Sequence, residues 1–317
     1  MEKVISVVIP AYNEEENIPL IFNELSKIFE KSAYNCEVIF VNDGSVDKSQ
    51  SLIDNICKQN VNAKSLEFSK NFGKEAATSA GLHFTKGDAA IVVDADLQHP
   101  VELIPQFIER WENGAEIVIG IRKNSKSEGA LKKVGSYAFY KIMNAIGDTQ
   151  IVSNATDFRL IDRKVIDIFN QFTERQRMTR GILDWVGFKK EYLYFEAKDR
   201  KTGKPKYGFL KLFKLAISSF VAYSLLPLKL AGYLGLCITF FSGVLGAFII
   251  TEKYIFGDPL QLHIKGIAML AVLLVFLVGI TMMCLGLIAL YIANIHVEVI
   301  NRPLYIIKSR NNIDNIK

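Results

Sequence analysis

The chain has 317 residues, long for one domain, and 50% of them are hydrophobic, which is apolar for a protein wholly surrounded by water. Its net charge of +5, from 38 basic and 33 acidic residues, is too mild for a nucleic-acid-binding protein and fits contact with an anionic membrane or substrate. Cys36, Cys57, Cys237 and Cys284 are scattered and the histidines do not cluster, which argues against a zinc site and a disulfide framework and suits reduced cysteines in a cytosolic compartment. The opening MEKVISVVIP is too short and too β-branched an apolar run for a signal peptide, and VISVVIP reads as a buried strand. Glu14 to Phe29 then has helical spacing at Ile18, Ile21, Leu25 and Ile28. CEVIFVND predicts a second strand, Asp47 to Cys57 a second helix, AKSLEFS a third strand and Gly73 to Thr85 a third helix. AAIVVDAD predicts a fourth strand, followed by helix from about Pro100 and a fifth strand in AEIVIGIR. Strand and helix in alternation, to about residue 165, imply a parallel sheet covered on both faces.

Such sheets bind ligands at the carboxyl ends of their strands, and polar residues gather there. They are Pro10, Tyr12, Asn13 and Glu14 after the first strand, and Asn42, Asp43 and Ser45 after the second. Asp94, Asp96 and Gln98 follow the fourth, and Arg122 ends the fifth. Singly, some have structural readings: Asp47 as a helix cap, Asn42 and Gly44 as a turn. Neither GxGxxG nor GxxxxGK[ST] occurs, which argues against a Rossmann dehydrogenase and a P-loop NTPase. In NFGKEAATSAG, Gly73 and Lys74 can offer a backbone N–H and an ammonium to a phosphate.

VVDADLQHP ends a hydrophobic strand with two mutually repelling carboxylates, Asp94 and Asp96. Carboxylates at i and i+2 can converge on one cation where a strand gives way to a turn. Mg²⁺ and Mn²⁺ prefer oxygen ligands, and Mg²⁺ typically sits between a few carboxylates and substrate phosphates. Gln98 can add a neutral oxygen or hold a water. Such a metal would offset the repulsion and stabilise a departing diphosphate.

The apolar excess lies toward the carboxyl end. No Asp, Glu, Lys or Arg occurs from Leu230 to Thr251 or from Gly266 to Val297, and a bilayer core needs roughly 20 apolar residues in a helix. Transmembrane helices are expected at 230–251 and 267–294, joined by a short extracytoplasmic loop at 252–266. Lys206, Lys211, Lys214 and Lys229 before the first, and Arg302, Lys308 and Arg310 after the second, put both termini in the cytoplasm. Residues 207–229, with YGFLKLFKLAISSFVAYSLL, are expected to lie on the membrane surface as amphipathic helix, leaving a cytoplasmic domain at 1–206 and a cytoplasmic tail at 295–317.

SVVIPAYNEEENI, VNDGSVDKS, NFGKEAA, DADLQHP and NATDFRLIDR resemble the family 2 glycosyltransferases of GT-A fold. DRKTGKPKYGFLKL and YIANIHVEVINRPLYIIK resemble, more narrowly, the polyisoprenyl-phosphate glycosyltransferases, the bactoprenol glucosyltransferases above the dolichol-phosphate mannosyltransferases. The resemblance covers nearly the whole chain and implies a GT-A domain, Rossmann-like with a mostly parallel sheet, ahead of a juxtamembrane helix and two spans. It assigns Pro10, Tyr12 and Glu14 to the nucleoside, Asp43 to the base, and Asp94, Asp96 and Gln98 to metal and diphosphate, and Lys74, read above as a phosphate contact, joins the nucleotide-sugar residues. Arg122, Arg200 and Lys206 fall to the acceptor phosphate; Pro205 replaces a serine of the family's pattern, which removes a hydroxyl there. Asp157 occupies the region where hydroxyl-accepting relatives keep a base, and here either takes a proton or orients groups.

The implied reaction moves a hexose, glucose from UDP-glucose first, to undecaprenyl phosphate with Mg²⁺ or Mn²⁺ and inversion at the anomeric carbon. GDP-mannose, GlcNAc, galactose and modified arabinose donors stay open. The implied partners are the nucleotide sugar, the lipid acceptor, the bilayer and further copies of the chain, a homotetramer by resemblance, at the inner membrane. Of the remaining cations, Lys132, Lys133, Arg175, Arg177, Arg180 and Lys204, the simpler reading is solvated charge at a membrane surface. A processive synthase is disfavoured because RQRMTRG lacks the QxxRW spacing, and a non-catalytic scaffold because the acidic and basic motif residues are intact.

Overall fold

The computed structural model describes residues 3–123, 154–174, 177–196, 244, 251 and 266–313. The chain forms two units, Met1–Pro205 together with Arg302–Lys317, and Lys206–Asn301. The first unit is built on one eight-stranded sheet of order β7-β5-β6-β4-β1-β2-β3-β8.

The five predicted strands are present: β1 (Val4–Ala11), β2 (Asn35–Asn42), β3 (Ala63–Phe68), β4 (Ala89–Val92) and β5 (Ile117–Arg122). β3, β2, β1 and β4 are parallel neighbours. Successive side chains of a strand face opposite sides. Ile5, Val7 and Ile9 therefore join a core under α1 (Ile18–Phe29), α2 (Ser49–Gln59) and α4 (Ile104–Glu112). Val8 joins the core on the other face, with Leu82 of α3 (Lys74–Phe84). α3 lies close on the sheet because residue 81 is glycine; a Cβ there would stand 2.2 Å from Cγ1 of Val8.

Boundaries differ from expectation where side chains compete for the backbone. Helix begins at Ile18, not Glu14, because the Glu14 carbonyl accepts from the N–H groups of Asn17 and Ile18 in a turn, and proline follows at the helix start. β4 stops at Val92 rather than Asp96, and the chain then turns through Leu97 at φ 59°. A short 3₁₀ turn, Val101–Leu103, leads into α4.

Three strands and two helices of this unit were not anticipated. β6 (Ala155–Asp162) runs antiparallel between β4 and β5, so its beginning lies at their carboxyl ends. α5 (Arg163–Phe169) and α6 (Thr179–Trp185) follow, and β7 (Lys190–Phe195) pairs parallel with β5. The carboxyl-terminal segment, expected only as a tail, contributes β8 (Ile307–Asn311), antiparallel to β3. Leu304, Tyr305, Ile307 and Ile313 pack beside Leu66 and Phe68, and the Tyr305 ring stacks on Phe68 with centroids 5.0 Å apart.

In the second unit, α7 (Gly266–Ile300) is a continuous 35-residue helix with no Asp, Glu, Lys or Arg before Glu298. Leu270, Leu274, Leu285, Ile292, Ile295 and Val299 on it are exposed. The side chains of much of this helix are outside the described residues, and among the described residues no helix is long and apolar enough to cross a membrane. The predicted segments 207–229, 230–251 and 252–266, save positions 244, 251 and 266, also lie outside the described residues.

Candidate active site

The loops after β1 and β2 interlock at the rim. Asn13, at φ 54°, donates its N–H to Oγ of Ser45 (2.9 Å), and its side-chain oxygen accepts from the N–H of Val46 (3.0 Å). Glu14 donates its N–H to Ser49 Oγ, and its carboxylate accepts from Asn17 Nδ2 (2.7 Å). Pro10 is buried in β1, and Tyr12 is 38% exposed at the rim. Asn42 accepts from the N–H of Ser45, making the expected turn with Gly44 at φ 67°. A Cβ on Gly44 would come within 2.4 Å of the Lys70 carbonyl carbon, so only glycine lets this turn abut the loop before α3. Asp47 accepts from the N–H of Ser49 in the turn that leads into α2, but the N-cap position is Lys48, one residue later than anticipated.

Asp43, assigned to the base by resemblance, is 3% exposed, and both its oxygens are engaged. It accepts from the N–H groups of Phe72 (2.7 Å) and Gly73 (2.9 Å). Burial pushes its carboxyl up, against the pull of those two donors. Asp43 thus anchors the loop that ends at Gly73, φ 99°, and so fixes the start of α3 and the position of Lys74. The Gly73 N–H is already bonded inside the protein.

The stretch 94–99 alternates. Ala95, Leu97 and His99 are buried, while Asp94, Asp96 and Gln98 are partly exposed on the rim. Leu97 holds a left-handed backbone that costs a non-glycine residue about 1–2 kcal/mol; its burial and the hydrogen bond from Gln98 N–H to Asp96 Oδ1 (3.2 Å) hold that turn. His99 accepts from the Asp94 N–H at Nδ1 (3.2 Å), with its ring stacked on Phe158 and edge-on to Phe195. Burial holds its pKa below the ordinary value, so a neutral ring with an acceptor Nδ1 suits the site. Nothing in the spacing of DADLQHP marked His99 as the support of Asp94; that needed the aromatic cage contributed by β6 and β7.

The centre of the site is an ion network. Lys74 Nζ stands 2.5 Å from Asp94 Oδ1 and 2.7 Å from Asp157 Oδ2. Arg180 Nε donates to the other oxygen of Asp157 at 2.5 Å, and its Nη1 to the Ala155 carbonyl at 3.0 Å. The next residues form a second clasp: Glu75 Oε2 accepts from the N–H (2.8 Å) and hydroxyl (2.6 Å) of Thr179. Lys74–Glu75 at the start of α3 therefore pair with Thr179–Arg180 at the start of α6, across Asp157 on β6. Burial alone would push the Asp157 carboxyl up; the hydrogen bond from Arg180 and the charge of Lys74 outweigh it and hold it well below the usual carboxylate range. Burial likewise opposes the charge on Lys74, but Asp94 and Asp157 raise its pKa above the ordinary value. A carboxylate so held is a weak base and a strong anchor.

The arginines nearest Asp157 in sequence, Arg159 and Arg163, turn elsewhere: Arg159 to Asp184, with Nη1 3.7 Å from its carboxylate, and Arg163 to the Gly87 carbonyl. Arg180, read from sequence as solvated charge, is a site residue. Arg122 is exposed at the end of β5, its N–H bonded to the Asn154 carbonyl beside the start of β6. Arg200 and Lys206 lie outside the described residues.

Among the described residues no three His, Cys, Asp or Glu side chains gather as a ready metal cage. Asp94 and Asp96 with the Gln98 oxygen still suit an ion that takes its other ligands from phosphate and water. The ammonium of Lys74 on Asp94 is a stand-in cation showing that this carboxylate accepts positive charge here.

The sequence profile of glycosyl transferase family 2 matches residues 6–169. A bactoprenol glucosyl transferase of Shigella phage SfX is 37% identical over 306 residues, covering 96% of this chain and 99% of the relative. A prophage bactoprenol glucosyl transferase homolog of Escherichia coli (strain K12) is 37% identical, covering 96% and 98%. Among solved structures, a mannosyltransferase from Pyrobaculum calidifontis in complex with GDP-Man and Mn²⁺ aligns at TM-score 0.47 and 18% identity, over 70% of this chain and 63% of that one. A mostly parallel α/β sheet, a rim of interlocked loops and the family match agree: the chain belongs to glycosyl transferase family 2 and is a glycosyltransferase.

Proposed function

We propose that the protein transfers glucose from UDP-glucose to undecaprenyl phosphate at the cytoplasmic face of the membrane. The observation that carries this reading is the likeness, end to end, to relatives named bactoprenol glucosyl transferase. The site supports it chemically, because a phosphate acceptor needs cations to bind and orient it more than it needs a base. Its second pKa of about 6 leaves it largely ionised near neutral pH, and Asp157, tied to Lys74 and Arg180, is an orienting group.

In this reading an acceptor phosphate oxygen attacks the anomeric carbon as the bond from that carbon to the diphosphate oxygen breaks. The configuration inverts and nucleoside diphosphate leaves. Pro10, Tyr12, Glu14 and Asp43 frame the nucleoside; Arg122, Arg200 and Lys206 bind the acceptor phosphate. Asp94, Asp96 and Gln98 would hold Mg²⁺ or Mn²⁺, which when bound supplies positive charge to the departing diphosphate.

Two features support the membrane setting. The sequence run Gly266–Val297, within α7, carries no Asp, Glu, Lys or Arg, and the expectation of a span at 267–294 rests on that run. The chain leaves the first unit at Pro205 and returns to it at Arg302, where β8 joins the same sheet. A segment that leaves and rejoins one folded unit crosses a bilayer an even number of times, which agrees with spans at 230–251 and 267–294. Two helices bury little surface alone, so assembly into a homo-oligomer, a tetramer, completes the proposal.

The test is transfer of label into the organic phase from UDP-glucose, GDP-mannose or UDP-GlcNAc, with undecaprenyl phosphate, Mg²⁺ or Mn²⁺, and Asp96→Ala as control. Label from UDP-glucose alone supports the proposal. Label from GDP-mannose alone replaces the donor, and none from any donor with folded protein in lipid overturns the transfer reading.

A further inference from the structure

We infer that Lys74 is a tethered cation that competes with the divalent metal for Asp94, making metal binding depend on the nucleotide. This rests on the metal assignment to Asp94 and Asp96 proposed above. Three observations carry it. First, the Lys74 ammonium lies 2.5 Å from Asp94 Oδ1, the carboxylate that would ligate the metal. Second, its backbone is anchored: it follows Gly73, whose N–H and that of Phe72 are bonded to buried Asp43. Third, it has a second acceptor in Asp157 at 2.7 Å, which is itself fixed by Arg180.

A cation this close to Asp94 does what a metal would do there, since it offsets the carboxylate charge. A divalent ion arriving alone must displace it and leave an ammonium facing an ion of like charge. Arriving with a nucleoside diphosphate, the ion brings anionic oxygens. Lys74 can then exchange Asp94 for a diphosphate oxygen while keeping Asp157. The same side chain that weakens metal binding without nucleotide strengthens it with nucleotide, and the linkage is reciprocal: metal tightens nucleotide by the same factor.

The experiment measures Mn²⁺ binding directly, by the electron paramagnetic resonance signal of free Mn²⁺, on the full chain in lipid nanodiscs. Wild type, Lys74→Gln and Lys74→Arg are titrated without nucleotide, with UDP and with GDP, and thermal melting confirms that each is folded. Without nucleotide, Lys74→Gln is expected to bind Mn²⁺ about tenfold more tightly than wild type, within the 5–150-fold range usual for coupled sites. Lys74→Arg keeps the charge and is expected to follow wild type. With nucleotide, the gain in wild type is expected to exceed the gain in Lys74→Gln. Equal or weaker binding to Lys74→Gln without nucleotide, while both proteins bind Mn²⁺ with nucleotide, overturns the competition and leaves the metal assignment standing. Absence of Mn²⁺ binding to folded wild type and both variants, with either nucleotide, overturns the metal assignment and the competition with it.

Discussion

Asp157 has one oxygen on Lys74 and the other on Arg180, so substituting Asn removes the charge while keeping the size. Asp157→Asn is expected to lower kcat by about 100-fold or more, the scale of losing a preorganised electrostatic contact, with donor affinity kept. A calorimetric donor titration beside the rate measurement checks the split; unchanged turnover would remove Asp157 from the mechanism. The pH dependence has a definite sign. A carboxyl held down by partners contributes stability above its unfolded value of about 4, and loses that contribution only as pH falls further, through the lowered folded value. Asp157 therefore stays ionised near neutrality, and under the proposed transfer to a lipid phosphate an acid limb of activity is expected near pH 6, from the acceptor. The midpoint of that limb should be the same in wild type and in the residual activity of Asp157→Asn. His99→Phe keeps a ring between Phe158 and Phe195 but leaves the Asp94 N–H without its acceptor. The expected cost is about 1–3 kcal/mol, read by denaturant unfolding.

At the scale of elements, the site is a junction of three pieces far apart in the chain: the start of α3, the start of β6 and the start of α6. Glu75 joins the two helices through two hydrogen bonds from Thr179. Glu75→Ala is expected to lower stability by about 1.5–3 kcal/mol, the range for bonds to a charged acceptor, and to lower turnover because Arg180 loses its fixed base; a melting curve and a rate measurement on one preparation test both. β1 and β5 were legible because a buried strand is a run of β-branched residues, VISVVIPA and IVIGIR. β6 was not, because Asp157, Arg159 and Asp162 interrupt its apolar pattern; only pairing with β4 and β5 makes ATDFRLID a strand. β8, IKSRN, carries too little apolar signal to be read at all, and it is held by β3, by Lys308 and Ser309 on Glu67, and by Asn311 on Ser65 and Asp54.

For the whole molecule, the return of residues 302–313 to the sheet ties the far end of the chain to the catalytic unit. Removing residues 302–317 exposes Leu66 and Phe68, which Leu304, Tyr305 and Ile307 now flank. The truncated protein is expected to melt several degrees lower in the same lipid, as a loss of a few kcal/mol does in a domain of this size. Accessibility gives a topological check. In intact cells, an impermeant thiol reagent should label a cysteine introduced in the loop 252–265 and spare one appended after Lys317. The reverse pattern, or labelling of both, would contradict two crossings.

The amino-acid sequence by itself determined the class of fold, the rim on which chemistry gathers and the family, because buried β-branched runs, helical spacing and the ordered motifs are local properties. It singled out Asp94, Asp96 and Asp157 and left the role of Asp157 open. Tertiary structure alone decided that Asp157 is clasped by Lys74 and Arg180, that Asp43 spends both oxygens on the loop before α3, and that His99 stands behind Asp94. These are contacts between residues up to 83 positions apart in the chain. Their energies arise from charges and donors brought together in a poorly solvated place, and no short-range periodicity encodes that meeting.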